Sequence, residues 1–241
     1  MLQADTIQFG HPINNICSPC VIYIPRNVDS IYSGKYIMYC SHHKGRYIKG
    51  FFSDDIKCNN WTEIPKKIVD LKNCTSIYDH ISSPDVIFHR KSKTFILSFH
   101  GKLIDKDEKN IFGKQGTIYA ESKNAIDFKV INKTISPAYS RYVPMNECEI
   151  LRIIKKDHSN LEINIVDFSL LKNISISKRK IHIPNLRHFS ARILDKNLEV
   201  YYTELYDFPE RIKRKVFSNS GFGSCIETLV YEMPYPKDSS N

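Results

Sequence analysis

A histidine and an aspartate open one predicted strand of this chain, and a second histidine closes the next strand. The run from His80 to Val86 leads into a strand, a turn follows at residues 90–93, and the returning strand ends at His100. An antiparallel hairpin brings the start of its first strand beside the end of its second. Asp85 and His100 are therefore expected at the same edge of a sheet, where a β-scaffold can present a polar site.

The elements that must position these residues are short strands that recur in four similar units. The first unit begins near residue 18 and closes near Trp61, and the second begins near residue 83 and closes near Phe128. Ser18-Pro19 corresponds to Ser83-Pro84. The third and fourth units cover residues 149–166 and 189–217.

Repeats of four short antiparallel strands predict an all-β fold of the β-propeller type. A β-sandwich, which also has many short strands, is the alternative, and the repeated Ser-Pro turns favour the propeller. We expect one propeller domain over residues 1–241. The 14 Tyr and 13 Phe residues agree with a strand-rich chain.

Composition and cysteine usage exclude several classes of protein. With 41% hydrophobic and 25% charged residues, the chain has an ordinary globular composition. It contains no apolar run of about 18 residues and no visible secretion signal, so we expect neither a membrane span nor secretion. Seven scattered cysteines indicate reduced thiols in a cytoplasmic protein. Cys17 and Cys20 form a C-x-x-C motif without a second ligand pair, which favours buried strand cysteines over a zinc site.

The net charge of +9 has two readings. The basic runs at residues 178–180 and 213–215 lie beside alternating apolar residues, as on the solvent face of a strand. No nucleic-acid-binding motif accompanies them, so a solvated basic surface is favoured over a nucleic-acid groove. Attraction to an acidic polymer stays open.

A propeller places many titratable residues of this chain on one face. In a four-stranded meander, the loop between strands two and three and the connection into the next blade emerge on the same side. Clustering of ionisable groups at one mouth is typical of a functional site. The residues that map to this face are His42, His43, His80, His100, His188, Asp85, Arg141, Arg187, Asp207 and Glu210.

Four short motifs resemble the five-bladed β-propeller glycosidases related to glycoside hydrolase families 43 and 32, and in particular an uncharacterised branch of them. The resemblance covers roughly residues 12–232. The motifs are residues 36–48, which include Ser41-His42-His43-Lys44-Gly45, residues 80–86 with Ser83-Pro84-Asp85, Phe99-His100-Gly101, and Leu186-Arg187-His188 together with residues 202–212.

The resemblance implies five blades, of which four are recognisable here. Tyr231-Glu232 resembles the start of the last blade, so that blade is expected to be incomplete or closed by the two termini. Family 43 enzymes place a catalytic Asp in an Asp-Pro dipeptide, where this chain has Ser18-Pro19. Their general acid is the Glu of a Glu-Gly-Pro motif at the start of a later inner strand, where this chain reads residues 139–142, Tyr-Ser-Arg-Tyr.

Glycoside hydrolysis needs two carboxyl groups, about 5–5.5 Å apart for retention and about 6.5–9.5 Å for inversion. Asp85 is the candidate for the ionised group or for the residue that tunes its neighbour, and Glu210 is the candidate for the acid, with Asp207 as its rival. A loop salt bridge with Arg211 is the alternative role for Asp207 and Glu210. The residues expected to bind substrate are His42, His43, His80, His100, Arg141, Arg187 and His188, because Arg and His can hydrogen-bond sugar hydroxyls or a carboxylate.

Three functions stay open on the sequence alone. A glycoside hydrolase acting on an oligo- or polysaccharide is favoured by the resemblance. A degenerate carbohydrate-binding propeller is favoured by the missing Asp-Pro and Glu-Gly-Pro motifs, and a protein-interaction platform is the third. No cofactor is expected to be required, although the central channel of a propeller offers a place for a divalent cation such as calcium. The expected partner is a carbohydrate, without nucleic acid or membrane.

Overall fold

A computed structural model of the chain describes residues 17–42, 45–57, 60–104, 115–167, 178–205, 211–218 and 225–232. Within these residues, sixteen strands form four antiparallel sheets of four strands each, and one short 3-10 helix covers Leu71–Asn73. The all-β prediction is confirmed. The chain divides into two compact units, Met1–Tyr142 and Val143–Asn241, which are described separately here. One domain over residues 1–241 stays a prediction.

Two sheets make up the first unit, each with its strands in chain order. The strands of the first sheet are β1 (Cys17–Tyr23), β2 (Tyr36–Ser41), β3 (Tyr47–Ser53) and β4 (Thr62–Asp70). Those of the second are β5 (Ser82–His89), β6 (Thr94–Lys102), β7 (Gln115–Ser122) and β8 (Lys129–Pro137). A shared apolar core that includes Tyr39, Ile48, Phe95 and Phe99 holds the two sheets together.

The other two sheets belong to the second unit, apart from the first two residues of β9. The third sheet contains β9 (Arg141–Pro144), β10 (Glu149–Lys155), β11 (Asn160–Asp167) and β12 (Lys178–His182). The fourth contains β13 (Leu186–Leu194), β14 (Asn197–Glu204), β15 (Arg211–Phe217) and β16 (Cys225–Glu232). Their core includes Leu161, Ile183, Leu186 and Tyr202.

The predicted fifth blade is wrong. The described strands are used up by four complete sheets, so none remains to start another. Tyr231 and Glu232, which suggested the start of a last blade, lie at the end of β16 and pair with Ile212 and Arg211 of β15. The strand therefore completes the fourth sheet as its outer member, because its backbone hydrogen bonds run back to β15.

The first strand of each sheet is preceded or opened by a residue with positive φ. These residues are Ser18 (φ 47°), Ser83 (φ 51°), Tyr139 (φ 59°) and Asn185 (φ 54°). The β1–β2 and β5–β6 pairings both shift register at this point, between Cys17 and Cys20 and between Ser82 and Asp85. Such a bulge re-aims the following side chain, so the repeated Ser-Pro turns direct Cys20 and Asp85 in the same way.

No helix in the part of the chain that the structure describes is long and apolar enough to cross a membrane. Among the described residues, Cys20, Cys40 and Cys74 are not in disulfide bonds.

Candidate functional site

Asp85 is the centre of a polar group of residues in the first unit, which we call the Asp85 site: Cys20, Asp85, Arg141 and Tyr142. Its Oδ2 accepts a hydrogen bond from the backbone N–H of Tyr142 at 3.0 Å, and its Oδ1 accepts one from the Cys20 thiol at 3.8 Å. Ser98 Oγ, in the neighbouring strand β6, donates to the Asp85 carbonyl at 3.3 Å. These contacts fix the carboxylate at the head of β5.

Two opposing effects set the protonation of this carboxylate. Burial raises the pKa of the Asp85 carboxyl above its usual range. The Arg141 guanidinium, the Tyr142 N–H and the Cys20 thiol act in the other direction, but burial outweighs them. Asp85 therefore holds its proton to higher pH than a solvated aspartate does.

Cys20 occupies in β1 the place that Asp85 occupies in β5. Each follows a Ser-Pro pair, and β1 and β5 lie against each other. The Val86 N–H donates to Cys20 Sγ at 3.4 Å. Burial and the Asp85 charge raise the pKa of the Cys20 thiol to about 12, so it is protonated at neutral pH. A protonated thiol is a hydrogen-bond donor to Asp85 and a poor nucleophile.

Two residues lie at positions where the sequence resemblance would lead us to expect catalytic carboxyls. Ser18 precedes Pro19 at the head of β1, and its Oγ accepts a hydrogen bond from Ser83 Oγ at 3.4 Å. Tyr139 precedes β9 and shares the positive φ of Ser18. Neither side chain carries a carboxyl group. Among these strand heads of the first unit, the carboxyl group is that of Asp85.

A second group, the His80 cluster, lies beside the β5–β6 hairpin and consists of Asp79, His80, His100 and Tyr139. The rings of His80 and His100 meet edge to face with their centroids 5.9 Å apart, and the Tyr139 ring lies 4.2 Å from that of His100. His80 Nδ1 is 3.4 Å from Asp79 Oδ2. His80 and His100 are buried, whereas Tyr139 is 39% exposed.

The cluster and the Asp85 site share two short segments of chain. Residue Ser82 pairs with His100 across β5 and β6, three positions before Asp85. Tyr139 lies three positions before Tyr142, the residue that donates to Asp85. The predicted approach of the start of β5 to the end of β6 therefore brings His80, Asp85, His100 and Arg141 to one end of the second sheet. Their roles in binding or catalysis stay predictions.

The remaining predicted site residues lie elsewhere or outside the described chain. His42 follows β2 and is half-buried, and its carbonyl accepts from the Gly45 N–H at 2.9 Å in a tight turn. Arg187 and His188 belong to the second unit, where both are exposed on β13. His43, Asp207 and Glu210 lie outside the described residues.

The donor set of the Asp85 site does not fit a calcium ion. Calcium takes six to eight oxygen ligands, whereas Asp85 is surrounded by a thiol, a guanidinium and a backbone N–H. Among the described residues, no group of three or more His, Cys, Asp or Glu side chains could hold a metal ion. A cation in the central channel stays a prediction.

Comparison with known proteins shows the fold. An enzyme of the GH43_1 group from Xanthomonas citri, determined with xylose, matches 89% of this chain with a TM-score of 0.67 at 9% identity, over 73% of its own chain. An α-L-arabinofuranosidase from Clostridium thermocellum matches 92% with a TM-score of 0.65 at 14% identity, over 74% of its own. The chain has the propeller-type fold of family-43 glycoside hydrolases.

A longer enzyme shares the same fold. An exo-β-1,3-galactanase from Phanerochaete chrysosporium, determined with β-1,3-galactotriose, matches 89% of this chain with a TM-score of 0.63 at 10% identity. The chain spans about half of that enzyme's length, 49%. No protein-family model and no curated protein matches the sequence. The structural likeness therefore confirms the predicted glycosidase-like fold and leaves the activity to be argued from the site.

Sequence reasoning missed four residues of these two groups, and Asp79 is one of them. Cys20 was assigned to a buried strand, although the alignment of Ser18-Pro19-Cys20 with Ser83-Pro84-Asp85 could have placed it opposite the carboxylate. Tyr142 acts through its backbone N–H, which carries no sequence signal. Tyr139 has positive φ. The sequence does not predict this conformation at a tyrosine, because Gly and Asn are the residues typical of it.

Proposed function

We propose that the chain is a carbohydrate-binding propeller that holds an oligo- or polysaccharide at the heads of β1, β5 and β9 without hydrolysing it there. One observation carries the proposal. The Asp85 carboxylate is engaged by the Cys20 thiol and the Tyr142 N–H, while the matching positions at the heads of β1 and β9 hold no second carboxyl. The fold of family-43 glycoside hydrolases supports a sugar as the ligand.

Hydrolysis at the Asp85 site would require a second carboxyl group besides that of Asp85. Both the retaining and the inverting reaction use one carboxyl as acid and one as nucleophile or base. Ser18, Cys20, Tyr139 and Arg141 supply hydroxyl, thiol, phenol and guanidinium groups in their place. A thiol whose pKa is raised to about 12 cannot serve as the base at neutral pH.

The same groups are suited to binding. A carboxylate accepts hydrogen bonds from sugar hydroxyls, and a guanidinium donates several to hydroxyls or to the carboxylate of an acidic sugar. Asp85 and Arg141 offer both kinds of partner within electrostatic range of each other, since the Arg141 charge lowers the pKa of the Asp85 carboxyl. The buried His80 and His100 add imidazole nitrogens at the same end of the sheet.

A glycoside hydrolase is the second candidate. The raised pKa of the Asp85 carboxyl favours it, because a carboxyl that keeps its proton is the acid such a reaction needs. The sequence candidates for the second carboxyl, Asp207 and Glu210, lie outside the described residues. This assignment makes Asp85 the acid, whereas the sequence alone suggested it as the ionised partner.

The test is to measure binding and turnover with the same sugars. β-1,3-Galactotriose, xylotriose and arabinotriose would be titrated calorimetrically into the full chain, and aryl glycosides of the same sugars would be assayed for release of the aryl group. We expect binding of at least one trisaccharide, no turnover, and a loss of binding of at least about tenfold in Asp85→Asn, which removes the charge and keeps the shape.

Two variants complete the experiment. Asp54→Asn is the matched control, because Asp54 is exposed at the end of β3 and pairs with Lys35 at 3.2 Å; it should bind as the wild type does. Turnover that disappears in both Asp85→Asn and Glu210→Gln would overturn the binding proposal in favour of the hydrolase. Absence of both binding and turnover would overturn both.

A further inference from the structure

We infer that Tyr139, supported by His100, is a stacking platform for the C–H face of a sugar ring. This inference rests on the proposed function and names the part of the site that would hold the ring of the saccharide. Three features of Tyr139 support it: its strained backbone, its supported but exposed aromatic ring, and its position near Asp85.

The backbone of Tyr139 is in a conformation that a tyrosine rarely adopts. Its φ is +59°, in the left-handed region, which is strained for a bulky residue. Two hydrogen bonds to the Pro137 carbonyl hold the preceding turn, one from Ser140 Oγ at 2.8 Å and one from Thr117 Oγ1 at 2.6 Å. The equivalent position before β13 is Asn185, a residue suited to positive φ. Strain of this kind is typical of functional sites.

The ring of Tyr139 is supported by His100 and is partly exposed. Its centroid lies 4.2 Å from that of His100, with the two planes tilted by 48°. His100 is 2% exposed, so it cannot swing away, whereas Tyr139 keeps 39% exposure. A tyrosine whose role was to fill the core would be buried more completely. The exposed part of the ring is therefore available to a ligand.

The support beneath His100 is itself held in place. The His80 ring meets His100 at 88°, and His80 Nδ1 lies 3.4 Å from Asp79 Oδ2. Asp79 in turn pairs with Lys102 of β6 at 2.9 Å. This chain of contacts fixes both imidazoles. A fixed support allows the Tyr139 ring to stack on a ligand with little loss of conformational entropy.

The position of the ring matches the needs of a sugar. Tyr139 lies two residues before Arg141 and three before Tyr142, whose N–H contacts Asp85. A sugar ring presents hydroxyls around its edge and C–H groups on its face. An aromatic ring beside a carboxylate and a guanidinium provides a surface for the face and partners for the edge.

The experiment titrates the full chain with β-1,3-galactotriose, xylotriose and arabinotriose, and compares Tyr139→Gly, Tyr139→Phe and Tyr23→Ala. Glycine removes the ring and suits the positive φ, so the variant should remain folded, with an unchanged or higher urea midpoint. Tyr23 is the control, because it is 41% exposed at the opposite end of β1 from Ser18.

We expect Tyr139→Gly to raise the Kd of the trisaccharide that binds by at least about tenfold, and Tyr139→Phe to keep it within about threefold. Tyr23→Ala should bind as the wild type does. Unchanged binding in Tyr139→Gly would overturn the platform while the carbohydrate-binding proposal stands. If the wild type binds none of the three sugars, both fail. Should Tyr139→Gly not fold, Tyr139→Asn, which also tolerates positive φ, carries the same comparison.

Discussion

At the scale of single residues, replacements at repeated positions distinguish this chain from the enzymes whose fold it shares. The heads of β1 and β5 are built alike, with a positive-φ serine, a proline and a register shift, yet they present Cys20 and Asp85 respectively. Because Cys20 stays protonated, it donates to the carboxylate where a second carboxylate would repel it.

Asp85 should make the stability of the protein depend on pH in a way that its amide does not. The pKa of the Asp85 carboxyl is raised in the folded protein, so ionisation at neutral pH costs folding free energy. That cost is absent below the pKa of an unfolded aspartate, about 3.9, and grows as pH rises through the raised value. Asp85→Asn should therefore gain stability relative to the wild type between pH 3 and pH 7.

The measurement is urea unfolding of both proteins at pH 3 and pH 7, followed by far-ultraviolet circular dichroism. Asp54→Asn serves again as control, since this exposed residue gives no reason for the same trend. A stability difference between Asp85→Asn and the wild type that is the same at both pH values would contradict the raised pKa.

At the scale of elements, local signals predicted which strands exist better than which strands pair. The Ser-Pro repeats predicted two units, from near residue 18 to Trp61 and from near residue 83 to Phe128, and a four-stranded sheet begins at the start of each. Tyr231-Glu232 resembles the start of a further blade, although these residues end the strand Cys225–Glu232, which pairs back onto β15. The sequence of a strand predicts which of its residues are buried. It does not predict which strand it pairs with, because pairing depends on contacts between residues distant in the chain.

The hairpin that contains His100 requires a glycine at position 101. A Cβ at Gly101 would lie 2.2 Å from the His80 carbonyl oxygen and 3.0 Å from Ile77 Cδ1. The segment before β5 therefore packs directly onto the β6 backbone, which seats His80 against His100. The Phe99-His100-Gly101 motif is explained by this close approach, and no sequence rule would have identified its partner.

Gly101→Ala should lower the free energy of unfolding by about 1–3 kcal/mol, because the clash is with backbone that cannot move without displacing His80. Gly50→Ala is the matched comparison. Its Cβ would meet the ends of the Ile64 and Ile68 side chains at 2.9 Å or more, and these can shift. Urea unfolding of both variants should show the larger loss for Gly101→Ala, and equal losses would contradict the role assigned to the backbone approach.

At the scale of the whole molecule, the net charge is +9, and some of the basic side chains are engaged in ion pairs. The basic run of β15 is an example: Lys213 pairs with Glu204 at 2.7 Å, Lys215 pairs with Glu227 at 3.0 Å, and Arg214 pairs with the buried Glu199. These cations are occupied within the second unit. The solvated basic surface expected for this run stays a prediction.

The single tryptophan offers a whole-molecule test of the binding proposal. Trp61 lies in the first unit and packs on the cluster of Met38, Cys40 and Phe51, so its fluorescence reports the unfolding of the unit that contains Asp85. A ligand that binds the folded state alone stabilises it by RT ln(1 + [L]/Kd), about 2.7 kcal/mol at a hundredfold excess over Kd.

Thermal unfolding followed by Trp61 fluorescence should therefore move upward by several degrees when the trisaccharide that binds is present at that excess. The shift should be largely lost in Asp85→Asn and in Tyr139→Gly, since both would raise the Kd, and retained in Tyr23→Ala. A shift of the same size in all four proteins would place the sugar away from Asp85. It would require the ligand to contact the first unit through residues other than those at the heads of β1, β5 and β9.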